Sequence, residues 1–147
     1  MRFLSAILAV SFWFLSIAHA APELRVLTDL FSVDFQGQNP GIIAFKDGQV
    51  VPYDMAEQGG CILRFPHGRV AKLNRNERLV ILRKQNYTAW KATRQGPSVL
   101  VTTLDWDLFR QNTGERLSLV CDLQGPVPAT IVESQVWRSL GTLIVAD

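Results

Sequence analysis

Histidine and cysteine are both scarce, with two of each in 147 residues. His19 lies in an N-terminal segment expected to be removed, which leaves His67 alone in the run Phe65-Pro66-His67-Gly68. One imidazole and one cysteine pair are too few for a zinc site, which draws its ligands from such residues. No C-x-x-C, G-x-S-x-G, P-loop or dinucleotide-binding glycine pattern occurs. Thiol-redox, serine-hydrolase and nucleotide chemistry therefore have no local signature. After residue 20 no apolar run approaches the roughly 20 residues that cross a bilayer as a helix. No transmembrane segment is expected, and there is no internal repeat or low-complexity tract.

The first residues carry a clear pattern. Arg2 precedes an apolar run from Phe3 to Ile17, and Ala18-His19-Ala20 supplies the small residues that a signal peptidase reads. This predicts a secretory leader over residues 1–20, cleaved after Ala20. The run is about fifteen residues, short for a membrane anchor. A secreted or periplasmic location follows, with residues 21–147 forming a single globular domain. In such a compartment Cys61 and Cys121 are expected to be disulfide-bonded rather than catalytic.

The remaining chain reads as mainly β. Lys46-Asp47-Gly48-Gln49 lies between short apolar runs, and an Asp-Gly pair there predicts a two-residue hairpin. Residues 61–73 are expected to form a second hairpin turning at His67-Gly68. Arg78–Lys84 and Tyr87–Thr93 are read as two strands. Turn signals every eight to twelve residues are the mark of an all-β sandwich or barrel. Residues 22–36 fit a helix or a strand equally well.

Toward the C-terminus a helix is predicted, with Thr130 and Glu133 as a capping box and Gly141 just past the end. Val132, Val136 and Leu140 would share its buried face. A final buried strand is expected over Thr142–Ala146. The predicted fold is thus an antiparallel β-sandwich or barrel-like domain with one short helix near the C-terminus and one disulfide. The cysteine spacing invites comparison with immunoglobulin domains. No tryptophan follows Cys61 at short distance, however, and Leu119 stands where a corner tyrosine would be.

Residues 100–123 alternate in polarity on either side of a polar loop. Leu100, Leu104, Trp106 and Leu108 would share one face with Leu117, Leu119, Cys121 and Leu123. A four-residue loop over Asn112–Glu115 would set Leu108 against Leu119 and Trp106 against Cys121. Asp105 would then oppose Asp122, with Asp107 close by. Like charges in that arrangement need an offset, so the three aspartates are weak candidates for a metal site. Calcium wants six to eight oxygens, which two or three strand aspartates do not supply. No metal and no cofactor is expected.

Charge is unevenly placed. Arg64, Arg69, Lys72, Arg75, Arg78, Arg83, Lys84, Lys91 and Arg94 fall in one segment with Glu77 as its single acid. Such asymmetry speaks to partners rather than to fold. Arg64, Arg69, Lys72, Arg83, Lys84 and Lys91, with Tyr87 or Trp90 as an apolar anchor, are read as a candidate basic binding face. The alternative is that these cations pair with acids of their own fold.

The first functional reading is a non-enzymatic secreted or periplasmic binding module. Its partner would be an anionic envelope polymer or a protein, and inhibition of a secreted enzyme is one form this takes. Nucleic acid is not expected. A second reading is a small secreted hydrolase using His67 or a carboxylate pair drawn from Glu23, Glu57, Glu77, Glu115 and Glu133. A third is a subunit of an envelope assembly, which an exposed strand edge would favour.

Overall fold

A computed structural model of the chain describes residues 21–33, 39–57, 59–66 and 69–147. The expected leader and His67 lie outside the described residues. The chain forms β1 (Glu23–Val26), β2 (Leu30–Phe31), β3 (Ile42–Lys46), β4 (Gln49–Val51), α1 (Tyr53–Ala56) and β5 (Cys61–Arg64). Then follow β6 (Lys72–Leu73), β7 (Arg78–Lys91), β8 (Val99–Arg110), β9 (Arg116–Gln124), α2 (Ala129–Leu140) and β10 (Ile144–Ala146). Eight strands make one antiparallel sheet in the order β10-β1-β7-β8-β9-β5-β3-β4. The sheet curls into a half-barrel, and α2 packs into its inner face. β2 and β6 form a separate two-stranded ribbon.

The expected mainly β class, the disulfide and the C-terminal helix are all present. α1 is an unexpected second helix of a single turn. Where residues 22–36 are described they hold two short strands, β1 and β2, with Leu24, Val26 and Leu30 buried, and no helix. The β3–β4 hairpin turns at Asp47 and Gly48 with φ of 51° and 78°, as the Asp-Gly pair requires. Cys61 and Cys121 face each other across β5 and β9, with α-carbons 4.2 Å apart and the sulfurs bonded.

Strand alternation builds the core. Leu104, Trp106 and Leu108 of β8 and Leu117, Leu119 and Cys121 of β9 are all buried. Val132, Val136 and Leu140 of α2 close over them, four residues apart on one helix face. Trp137 of α2 meets Trp106 edge-on, with ring centroids 5.8 Å apart. On the outer face, Ala44, Val51, Ala56 and Ile62 form a small second cluster under α1.

Four expectations are corrected. Residues 61–73 make no hairpin: β5 pairs with β3 and β9, and β6 with β2. The Phe65 amide donates to the Gly41 carbonyl and the Ala71 amide to Pro40, which ties this segment to the chain before β3. The two strands read over Arg78–Thr93 are one 14-residue strand with a bulge between Ile81 and Arg83. The α2 cap is Pro128 rather than a Thr130–Glu133 box. Proline's fixed φ suits a helix start, and the Ile131 and Val132 amides donate to the Pro128 carbonyl.

The fourth correction is one of register. The loop of the β8–β9 hairpin is Gln111–Gly114, closed by the Arg110 amide on the Glu115 carbonyl at 2.8 Å. Gly114 takes the left-handed position, with φ of 73°. Pairing shifts by two residues, so Leu108 opposes Leu117, Trp106 opposes Leu119 and Leu104 opposes Cys121. A shift of two keeps the apolar faces together, where a shift of one would not.

Candidate binding surface

β7 outruns its neighbour. β1 pairs only with Arg78, Leu79 and Val80, and the Ile81 amide donates to the Pro22 carbonyl at 2.9 Å. Among the described residues no strand pairs with β7 on that side from Leu82 to Lys91. β8 pairs along its other side, with Leu82 left out of the register at the bulge. The result is a free edge about nine residues long.

The direction of its backbone groups follows from the ladder. The Gly125 amide donates to the Leu100 carbonyl at 2.7 Å, so Leu100 faces β9, and Val99 and Val101 face β7. Their partners Lys91 and Ala89 therefore bond to β8. In an antiparallel pair the intervening residues point the other way. Lys84, Asn86, Thr88 and Trp90 thus present N–H and C=O groups outward along the edge. Side chains there are also open: Leu82 is 48% exposed, Tyr87 44% and Trp90 71%.

The candidate cations do not gather on one face. Arg83, Asp107, Ser118 and Arg64 stand in one row across β7, β8, β9 and β5, on the side away from α2. Tyr87 and Lys91 share that side by alternation, while Lys84 and Trp90 lie on the α2 side. Arg69 is exposed in the segment after β5, and Lys72 lies on β6 with its amine 5.4 Å from the Phe31 ring centre. Three of the cations have acids from outside the basic segment. Arg83 meets Asp107 at 3.1 Å, Lys84 meets Glu133 at 3.0 Å and Lys91 meets Asp122 at 2.6 Å. The Lys84 amine also lies 4.5 Å from the Trp106 ring centre. Arg64 and Arg116 line an open depression of about 370 Å³ with Asp107.

The three aspartates are separated and individually satisfied. Asp105 opposes Val120, not Asp122, and Asp122 opposes Thr103. Asp105 accepts from the Ser118 hydroxyl at 3.1 Å, and Asp122 accepts from Thr103 as well as Lys91. The like-charge pair expected from the earlier register does not form. Among the described residues no group of three His, Cys, Asp or Glu side chains is placed to hold a metal ion.

No protein-family model, curated protein or solved structure matches the chain.

Among the candidate glutamates, one arrangement was not foreseen. Glu77 and Arg110 are both buried and joined by two hydrogen bonds, Nε to Oε1 at 2.8 Å and Nη2 to Oε2 at 2.9 Å. Glu115 approaches the same guanidinium at 3.6 Å. Burial would raise the Glu77 carboxyl, but hydrogen bonds from Arg110, the Asn74 amide and Asn112, with the Arg110 charge, outweigh it. The carboxyl is held below its ordinary value of 4.5. A carboxylate held ionised in this way is a poor proton donor. Glu23 pairs with Arg78 and Glu133 with Lys84, while Glu57 is exposed beside α1. No local sequence signal links Glu77 to Arg110, which lie 33 residues apart.

Proposed function

We propose that the protein is a non-enzymatic binding module of an exported, oxidising compartment, secreted or periplasmic. It takes up an extended segment of another polypeptide along the free edge of β7. The observation that carries this reading is the stretch Leu82–Lys91, bonded to β8 on one side and to nothing described on the other. Backbone groups at an open edge give affinity to any strand, and flanking side chains give selectivity. Trp90 and Tyr87 supply aromatic surface of the kind that anchors interfaces. The leader pattern and the Cys61–Cys121 bond support the compartment. A subunit of an envelope assembly is the same reading with a permanent partner.

The anionic-polymer variant of this reading has less support, because Arg83, Lys84 and Lys91 already face acids. Peptides displayed on phage and selected against the purified, oxidised protein test the edge. The binders should slow amide exchange at Lys84, Asn86, Thr88 and Trp90, and Asn86→Pro should abolish their binding. Binders that protect other amides, or that tolerate Asn86→Pro, would overturn it.

A further inference from the structure

We infer that the occupant of the β7 edge is a second copy of this chain, joined antiparallel about a two-fold axis at Asn86. The inference rests on the edge reading above and adds the identity of the partner. A strand edge is complementary to itself when one copy is turned by a two-fold, and such isologous contacts close into dimers.

Three features of β7 select this register. The first is its stop. The Ile81 amide is taken by Pro22 and Val80 pairs with Glu23, so an incoming strand has room only from Leu82 onward. Symmetric use of Leu82–Trp90 places the axis at its midpoint, Asn86. The second is charge. Centred there, Arg83 of each copy opposes Ala89 of the other, Lys84 opposes Thr88 and Gln85 opposes Tyr87. Centring on Tyr87 would set Arg83 against Lys91, a destabilising like-charge pair. Centring on Gln85 would drive Trp90 against Val80, where β1 already sits. The third is neutralisation. The cations of the edge are matched by Asp107, Glu133 and Asp122 within their own chain, so two copies meet without a bare positive front. The run Gln85–Trp90 between them carries no charge.

The backbone agrees with the side chains. Asn86 points its N–H and C=O outward, so the two copies of Asn86 form a hydrogen-bonded pair on the axis. Lys84 and Thr88 form the next such pairs on either side, giving about six backbone hydrogen bonds in all. At the ends, the register brings Leu82 of each copy, which sits in the bulge between Ile81 and Arg83, alongside Trp90 of the other. These are the two most exposed large apolar side chains of β7. The paired edges would join two half-barrels into one continuous sheet and leave neither edge open.

The test is the mass and the register of the purified, oxidised full protein. Sedimentation should show a concentration-dependent doubling of mass that Asn86→Pro removes while the near-ultraviolet circular dichroism stays unchanged. Asn86→Cys should form an interchain disulfide, because a hydrogen-bonded antiparallel pair holds its α-carbons about 5.5 Å apart, within bonding range. Trp90→Cys should not, since each Trp90 then lies eight residues from its own counterpart. A protein that stays monomeric up to about 1 mM overturns the inference. If selected peptides still protect the β7 amides in that case, the edge binds another polypeptide and the broader reading survives. A dimer that crosslinks through Trp90→Cys, or that persists in Asn86→Pro, overturns the proposed register and site.

Discussion

Gly141, at the end of α2, packs directly against Gly48, in the turn between β3 and β4. A Cβ on Gly141 would stand 2.5 Å from the Gly48 α-carbon, and the Gly48 amide donates to the Ser139 carbonyl at 3.0 Å. Gly141 also has φ 55° and ψ −123°, a conformation that residues with a side chain avoid. This contact docks the helix terminus on the hairpin. Gly141→Ala is expected to destabilise by roughly 3 kcal/mol, from backbone strain and overlap together. Chemical denaturation checks it, and a loss under about 0.5 kcal/mol would show that the two backbones part easily.

The Glu77–Arg110 pair is expected to behave as a buried ion pair. Glu77→Gln leaves the guanidinium with a neutral partner in place of its closest acid, and only Glu115 at 3.6 Å beside it; it should cost about 3 kcal/mol. The apolar double variant Glu77→Leu with Arg110→Met should cost less than either single change, because only Glu115, which approaches Arg110 at 3.6 Å, is then left without its cation. A double variant as poor as the sum of the singles would show that the hydrogen bonds, not the charges, carry the contribution.

Acid should act through the same group. The folded Glu77 carboxyl lies below its ordinary 4.5, so its stabilisation is fully present above that pH. It is lost as pH falls through the folded value, where the native state must also take up the proton. Denaturation midpoints followed downward from pH 6 should therefore fall less steeply for Glu77→Gln than for the unaltered protein. Parallel curves would remove Glu77 as the source.

The disulfide links strands 60 residues apart in sequence. Cys61→Ala with Cys121→Ala should lower stability by about 4 kcal/mol in the chain-entropy model and leave the sheet order unchanged. Native protein should show no titratable thiol, in keeping with the absence of free cysteines. Thiols that titrate without denaturant would contradict the buried bond.

Trp90 should separate binding from folding. With 71% of its surface exposed, Trp90→Ala is expected to change folding stability by less than about 0.5 kcal/mol and to weaken edge-bound peptides at least about tenfold. Peptide affinity should change little between low and high salt, since the cations of β7 are already matched. A steep fall with salt would return the weight to Arg64, Arg69, Lys72 and the other basic residues.

Features set by neighbours in sequence were legible. Asp47-Gly48 announced its turn because few residue pairs accept two positive φ values, and the alternation through Leu104–Leu108 and Leu117–Cys121 named the buried faces. The exact loop did not follow, because Asn112–Glu115 and Gln111–Gly114 satisfy the same face rule. The left-handed glycine chose between them. β5 was misassigned because its partners, β3 and β9, are chosen by tertiary packing that no local pattern encodes. The free edge was hidden for a related reason. Residues 82–91 look like any strand, and their exposure comes from the shortness of β1, a property of a segment far away. Likewise Lys84 finds Glu133 across 49 residues and Lys91 finds Asp122 across 31.

Lys84 sits opposite Trp106 in the ladder between β7 and β8. Its backbone belongs to the open strand, while its amine rests over the ring of Trp106, which in turn abuts Trp137. An indole next to a cation responds in its emission to small displacements of that charge. A strand docking on the open edge would therefore disturb a charge seated over Trp106, which is 1% exposed, and tryptophan emission should report it.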